Sequence, residues 1–134
     1  MNSAAADAMA AESDVSYRLE SVEWEEHRTR ASVVVRPELT QPSGGVGSGV
    51  YAAVAERLAS IATARGVGPD RTVSPMSNQM SLMRPITDGV IHAIAIPRHR
   101  GRTTWVWEVE FSDGRGRLCA LSRMTIAVGE SAEG

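Results

Sequence analysis

The sequence contains no lysine; all 14 basic side chains are arginines. That absence removes Schiff-base chemistry and the lysine clamp of G-x-x-x-x-G-K-[ST] phosphate loops. Any bound anion must be met by Arg, His or backbone N–H groups. Cysteine is nearly absent as well. The single Cys119 excludes an internal disulfide and a thiolate metal cluster, and mid-strand it reads as a packing residue. His27, His92 and His99 show no mutual metal-ligand spacing, so no metal site is expected. No apolar run approaches the ~20 residues of a membrane helix. The first 14 residues are Ala-rich but acidic, without the basic flank and apolar stretch of a secretory signal. The expected compartment is therefore the cytoplasm, with no membrane partner. Net charge is −2 with a pI near 5.9, so no global field draws the chain to nucleic acid.

What is present fits one small domain. A chain of 134 residues can bury roughly 68% of its unfolded surface, enough for one core without staples. The expected division is a disordered lead-in at 1–14, a single domain at 15–128 and a flexible tail at 129–134. Tyr17 to Val35 holds two strand-like runs, the second with Ala31, Val33 and Val35 on one face and Arg36-Pro37 as its stop. A Gly/Ser-rich loop, Gln41 to Gly49, leads into a helix of about four turns. Then the period changes to two. Met76, Met80 and Leu82 share a face of the next strand. Val90 to Ile96 is apolar on both faces and reads as a doubly covered central strand, with His92 as a hydrogen-bonded core residue. Trp105, Trp107, Val109 and Phe111 alternate with polar residues. After the Asp113-Gly114 turn, Leu118, Ala120, Met124, Ile126 and Val128 line the last strand. Two strands, one helix and four strands imply an antiparallel sheet of five to six strands carrying the helix, an α+β fold.

The helix is apolar over most of its surface. Val50, Val54, Leu58 and Ile61 fall within about a quarter of its circumference, and Ala52, Ala55, Ala59 and Ala62 cover the next flank. Such a helix is expected to be buried. One narrow polar stripe remains: Glu56, Ser60 and Thr63. A lone carboxylate in apolar surroundings is costly unless paired or useful. The loop before the helix, Ser43-Gly44-Gly45-Val46-Gly47-Ser48-Gly49, lets the backbone approach a ligand, and the helix start aims free N–H groups at it. The plainer alternative is a tight turn with Ser48 as N-cap.

Gln41 through Ser60, with its V-Y-x-x-x-x-E-x-x-x-S pattern, resembles the hot-dog-fold acyl-CoA thioesterases of the phenylacetate-degradation and 4-hydroxybenzoyl-CoA thioesterase type. The Arg84-Pro85 pair and the His99-Arg100-Gly101-Arg102 turn extend the resemblance over about 15–128. It implies a sheet wrapped around one long central helix, a homo-oligomer (dimer or tetramer) with its site between subunits, and hydrolysis of an aromatic or medium-chain acyl-CoA. It implies no cofactor, coenzyme A entering only with the substrate. By the same resemblance Glu56 is the nucleophile or general base, Ser60 and Gln41 position the reacting groups, and Ser48 and Gly49 supply the oxyanion N–H donors. Arg98, His99, Arg100 and Arg102 meet coenzyme A phosphates. Arg84 and Asn78 lie on the substrate side, and Met80 and Leu82 line the acyl pocket. Taken alone, the Arg98–Arg102 cluster reads as a solvated turn. The family's His-Gly-Gly is Gly47-Ser48-Gly49 here, which motivates a second reading: an acyl-CoA-binding accessory protein without turnover. A dehydratase or hydratase of the same fold would need an Asp/His pair, and no histidine lies near the helix in sequence.

Overall fold

The computed structural model describes residues 19–130. The expected lead-in at 1–14 and the last four residues of the expected tail lie outside the described residues. The chain runs β1 (Glu20–Trp24), β2 (Thr29–Val34), a 3-10 turn at Pro37–Leu39, α1 (Ser48–Val67), β3 (Arg71–Leu82), β4 (Val90–Arg100), β5 (Thr104–Ser112) and β6 (Leu118–Glu130). All strand pairings are antiparallel, in one six-stranded sheet of order β1-β2-β4-β5-β6-β3. The last strand thus reaches two residues past the expected end of the domain at 128.

α1 lies against the inner face of this sheet, with Tyr51, Val54, Ala55, Leu58, Ala59, Ile61, Ala62 and Ala64 all buried. The alanine flank is what lets the sheet come close. Facing it are Trp107, Val109 and Phe111 of β5 and Met124 and Ile126 of β6. Tyr51 meets Phe111 edge-on at 5.1 Å between centroids. Burial pushes the Tyr51 hydroxyl up to about 12, despite a hydrogen bond from the Ile86 backbone, so it stays neutral. Among the described residues, no helix is long and apolar enough to cross a membrane.

The helix is longer than its expected four turns: 20 residues make about five and a half. Its cap is Gly47, not Ser48, which is already the first helical residue. At the far end Gly68 (φ 90°) stops it, with Pro69 next in sequence.

Three β-bulges correct the period-two reading. In β3, Met76 is an extra residue between Pro75↔Ile126 and Ser77↔Thr125, so it leaves the face of Met80 and Leu82 and is 67% exposed. In β4, Arg98 is extra between Pro97↔Trp107 and His99↔Val106. At the start of β6, Cys119 is extra between Phe111↔Ala120 and Ser112↔Leu118. Cys119 is therefore buried beside Ala120, and Leu118 turns outward instead of lining the core. Each inserted residue shifts the alternation by one. The doubly covered reading of β4 is also corrected. Ile91, Ala93 and Ala95 are buried, but Ile94 and Ile96 are only half-buried and His92 is exposed. A sheet curled around one helix has a single inner face, and His92 is on the other.

Candidate functional site

The helix entrance is built by a short closed loop. Gly44 N–H donates to the Gln41 carbonyl at 2.8 Å, and Gln41 N–H donates to the Gly45 carbonyl at 2.8 Å. Thr40 and Val46 form an isolated bridge, and Val46 N–H donates to the Ile86 carbonyl at 2.9 Å. Only Gly44 needs a positive φ, 97°. The loop therefore returns on itself and delivers the chain to Gly47, whose φ of −69° and ψ of 148° are ordinary extended backbone. The Gln41 side chain lies against Gly47, about 3.6 Å from where a Cβ would stand. The first N–H group used internally is that of Val50, on the Gly47 carbonyl at 3.0 Å. Ser48 and Gly49, in the first helical turn, have no intrahelical acceptor for their N–H groups, which find no other partner among the described residues and are available as donors. Because Ser48 is helical, a serine fits there without backbone strain.

Two turns on, Glu56 is exposed in a stretch where Arg57, Leu58, Ala59, Ser60 and Ile61 are all buried. The chain alone does not desolvate this carboxylate, contrary to the expectation from helix composition. Within the stripe only Glu56 is exposed; Ser60 and Thr63 are buried. Ser60, one turn later, is buried, and its Oγ has no hydrogen-bond partner among the described residues. Thr63, the third member of the stripe, is spoken for: its Oγ1 donates to the Ala59 carbonyl at 2.7 Å and accepts from Trp107 Nε1 at 2.8 Å.

The end of β3 stands beside this region. Past its bulge, Asn78, Met80 and Leu82 share the inner face of the sheet, paired with Met124, Ser122 and Ala120. Asn78 Nδ2 donates to the Ala52 carbonyl at 3.0 Å, and Asn78 Oδ1 accepts from Ser122 Oγ at 2.6 Å. Its amide thus ties β3 to α1 and β6. Met80 packs against the core, whereas Leu82 is exposed. Arg84 is exposed, and Pro85 lies 3.4 Å from a Cβ built on Gly45, which places the Arg84-Pro85 pair at the helix entrance.

The other expected residues lie at the opposite end of α1. His99 and Arg100 belong to β4 itself, and the turn to β5 is closed by Gly101 N–H on the Thr104 carbonyl at 2.8 Å. Arg71, at the start of β3, donates through Nη2 to the Arg102 carbonyl at 2.7 Å. Arg98 is held by Glu108 at 2.7 Å, and Arg100 stacks over Trp105, 5.2 Å from the ring centroid, inside its own chain. His99 and Arg102 side chains make no hydrogen bond or ion pair among the described residues. One chain therefore brings Gln41, Ser48, Gly49, Asn78, Met80 and Arg84 together at one end of α1, with Glu56 and Ser60 partway along. It leaves the arginine turn about 30 Å away, the length of a 20-residue helix.

A six-stranded antiparallel sheet curled about one long helix, with a solitary exposed carboxylate on that helix, is the hot-dog architecture. A family model of the thioesterase superfamily matches residues 46–120. The chain is 32% identical over 110 residues to a 1,4-dihydroxy-2-naphthoyl-CoA hydrolase of Listeria monocytogenes, spanning 82% of this chain and 89% of that protein. A thioesterase crystal structure from Haemophilus influenzae superposes with a TM-score of 0.81 at 27% identity, over 91% of this chain and 84% of that one. The crystal structure of S. sahachiroi AziG superposes at 0.77 with 35% identity, over 85% and 91%. The chain belongs to the thioesterase superfamily, and thioester hydrolysis is its class of reaction.

Proposed function

We propose that the protein hydrolyses an aromatic or medium-chain acyl-CoA at a site shared between two copies of the chain. The observation that carries this reading is Glu56, the exposed carboxylate on an otherwise buried stretch of helix, one turn from the unpartnered Ser60 hydroxyl. Seven residues separate Gly49 from Glu56, about 10 Å of helical rise. Reacting groups must lie within ~3.5 Å of one carbonyl, so the acid and the N–H donors of one helix are too far apart to serve it together. A second copy resolves this. β3 is a 12-residue edge strand exposing Met76 and Leu82, and long exposed edges favour pairing. Asn78 meets α1 at Ala52, midway between Gly49 and Glu56. A two-fold axis at that level sets Glu56 of one copy beside Ser48 and Gly49 of the other. It also carries His99 and Arg102 of the copy that supplies Glu56 to about 15 Å beyond the other copy's helix start, where the coenzyme A phosphates, at the far end of the pantetheine arm, would be met by groups still free to bind.

At such a site the thioester oxygen accepts from the Ser48 and Gly49 N–H groups, which stabilise the charge that develops there. Gln41 holds the reacting centre. Glu56 attacks the carbonyl carbon, or takes the proton of a water that does, with Ser60 placing the attacking group. The C–S bond breaks and coenzyme A leaves as the thiol, its proton coming from the water consumed; where Glu56 is the nucleophile, that water then hydrolyses the acyl–Glu56 anhydride and frees the carboxylate. The acid, the water and the backbone donors suffice for each step, with coenzyme A present only in the substrate.

The test is thiol release from a panel of acyl-CoAs by the wild-type protein and Glu56→Gln. A fall of about 10²- to 10⁴-fold is expected, the usual worth of a positioned acid or base. Equal rates would remove Glu56 from the reaction. Saturable acyl-CoA binding without thiol release in the wild type would favour the accessory-protein reading motivated by Gly47-Ser48-Gly49.

A further inference from the structure

The chain has three tryptophans, and Trp24, Trp105 and Trp107 all line one cavity of about 270 Å³. It opens at the C-terminal end of α1, between the β1–β2 and β4–β5 hairpins. The helix residues that border it, Ala62, Arg65 and Gly66, lie about 9–15 Å along the axis from Glu56 and are rotated from it by roughly 80–180°. The cavity is therefore separate from the carboxylate stripe. We propose that it is a second ligand site, which takes a small planar aromatic carboxylate.

Its walls fit the ring. Trp105 and Trp107 are stacked, 5.9 Å between centroids and 30° between planes, and form the floor of the cavity, with only 7% and 2% of their surface exposed. Trp24 stands on the β1 side. Planar rings pack on such surfaces in offset or edge-on geometry, and the volume, just below the range of drug-sized pockets, suits one or two rings.

Its charges fit the carboxylate. The Arg100 guanidinium lies over Trp105 at 5.2 Å, and its Nη1 is 3.7 Å from a Glu26 carboxylate oxygen. That separation is too long for a hydrogen bond. Glu25 and Glu26 also border the cavity, but Glu25 faces Arg28 at 3.7 Å and the Glu26 side chain is 74% exposed, against 32% for Arg100, so the cation sits deeper than its counter-ion. An entering carboxylate replaces this loose pair with short, charge-assisted hydrogen bonds. Arg65, over Trp24 at 5.1 Å, adds positive potential from the helix side. The last carbonyls of α1 repel an anion from the inner end of the cavity. The ring therefore enters and the carboxylate stays at the Arg100 mouth.

Because no other tryptophan exists, intrinsic fluorescence reports on this cavity directly. The full chain is titrated with benzoate, cyclohexanecarboxylate and benzyl alcohol. Benzoate should give a saturable change, with the other two at least about tenfold weaker for want of a stacking ring or a charge. Arg100→Gln should weaken benzoate at least about tenfold, while Glu26→Gln, which removes a competing anion at an exposed position, should tighten it about two- to threefold. Glu56→Gln and added coenzyme A should leave the titration unchanged. The proposal is overturned if benzoate gives no saturable change, if benzyl alcohol binds as well, if Arg100→Gln has no effect, or if Glu56→Gln or coenzyme A abolishes the signal.

Discussion

Gly66 shows how one missing side chain positions a large one. A Cβ built there would stand 2.6 Å from Cη2 of Trp105, whose indole is 7% exposed and cannot swing away freely. Two effects compete in Gly66→Ala. Helix propensity favours alanine by up to ~1 kcal/mol. Overpacking a fitted contact costs about 1–3 kcal/mol. The clash is with a buried ring, so the second should win, and urea unfolding should show a net loss of about 1 kcal/mol. A gain in stability would mean that Trp105 repacks without strain. Asp113 gives a pH signature at the same scale. Partial burial pushes its carboxyl up, but the Arg117 and Arg115 backbone N–H groups and the Arg117 guanidinium hold it down at about 2, below its usual 3.8. The ionised form is the one the turn prefers, so its contribution is full above about 3.8 and fades as pH falls toward 2. Asp113→Asn should lower the melting temperature near neutral pH and match wild type once both are below that window. A constant difference at every pH would show that the charge is not what the turn uses.

Among the elements, β3 depends most on a polar tie. Its outer edge is unpaired in the single chain, and Asn78 bonds it to the Ala52 carbonyl and to Ser122, which is fully buried. In the helix, that same Ala52 carbonyl faces the N–H of Glu56, so loosening Asn78 also loosens the turn that carries the acid. Asn78→Ala should cost about 1–3 kcal/mol, because it strands a buried hydroxyl. Ser122→Ala should cost less, and the double variant should be no worse than Asn78→Ala alone. Strict additivity in denaturant titrations would show that the two side chains act separately. The same strand shows where periodicity stops being informative. Element order, the buried helix and the β5 face follow from apolar spacing alone. Met76, Arg98 and Cys119 break the alternation because a bulge is set by pairing with a neighbouring strand; Pro75 and Pro97, each directly before an inserted residue, are the local marks of two of them, and Cys119 has none. His92 was misplaced for a related reason: an apolar run does not reveal whether a second layer exists to cover it.

At the level of the whole molecule, the question is how two groups of residues at opposite ends of one helix serve one reaction. Glu56 and the glycine loop stand out in the sequence as a lone acid and a backbone cradle. Their separation does not, since about 10 Å of rise along α1 emerges only when both are placed on the same rigid rod. The proposed isologous pairing across β3 would make each site a composite, and composites can be complemented. Glu56→Gln, in the acid of one copy, and Gln41→Ala, at the helix entrance of the other, should each give a protein with strongly reduced thiol release. When the two are co-expressed and the mixed species purified through separate tags, every mixed dimer has one site carrying both defects and one carrying neither. The purified mixed dimer should then recover about half the wild-type rate, and an unseparated random mixture about a quarter. If Glu56 and Gln41 served the same site from one chain, each site of a mixed dimer would carry one defect, and no recovery would be seen. The measured rate therefore distinguishes a shared site from two self-contained ones without knowledge of the natural acyl group.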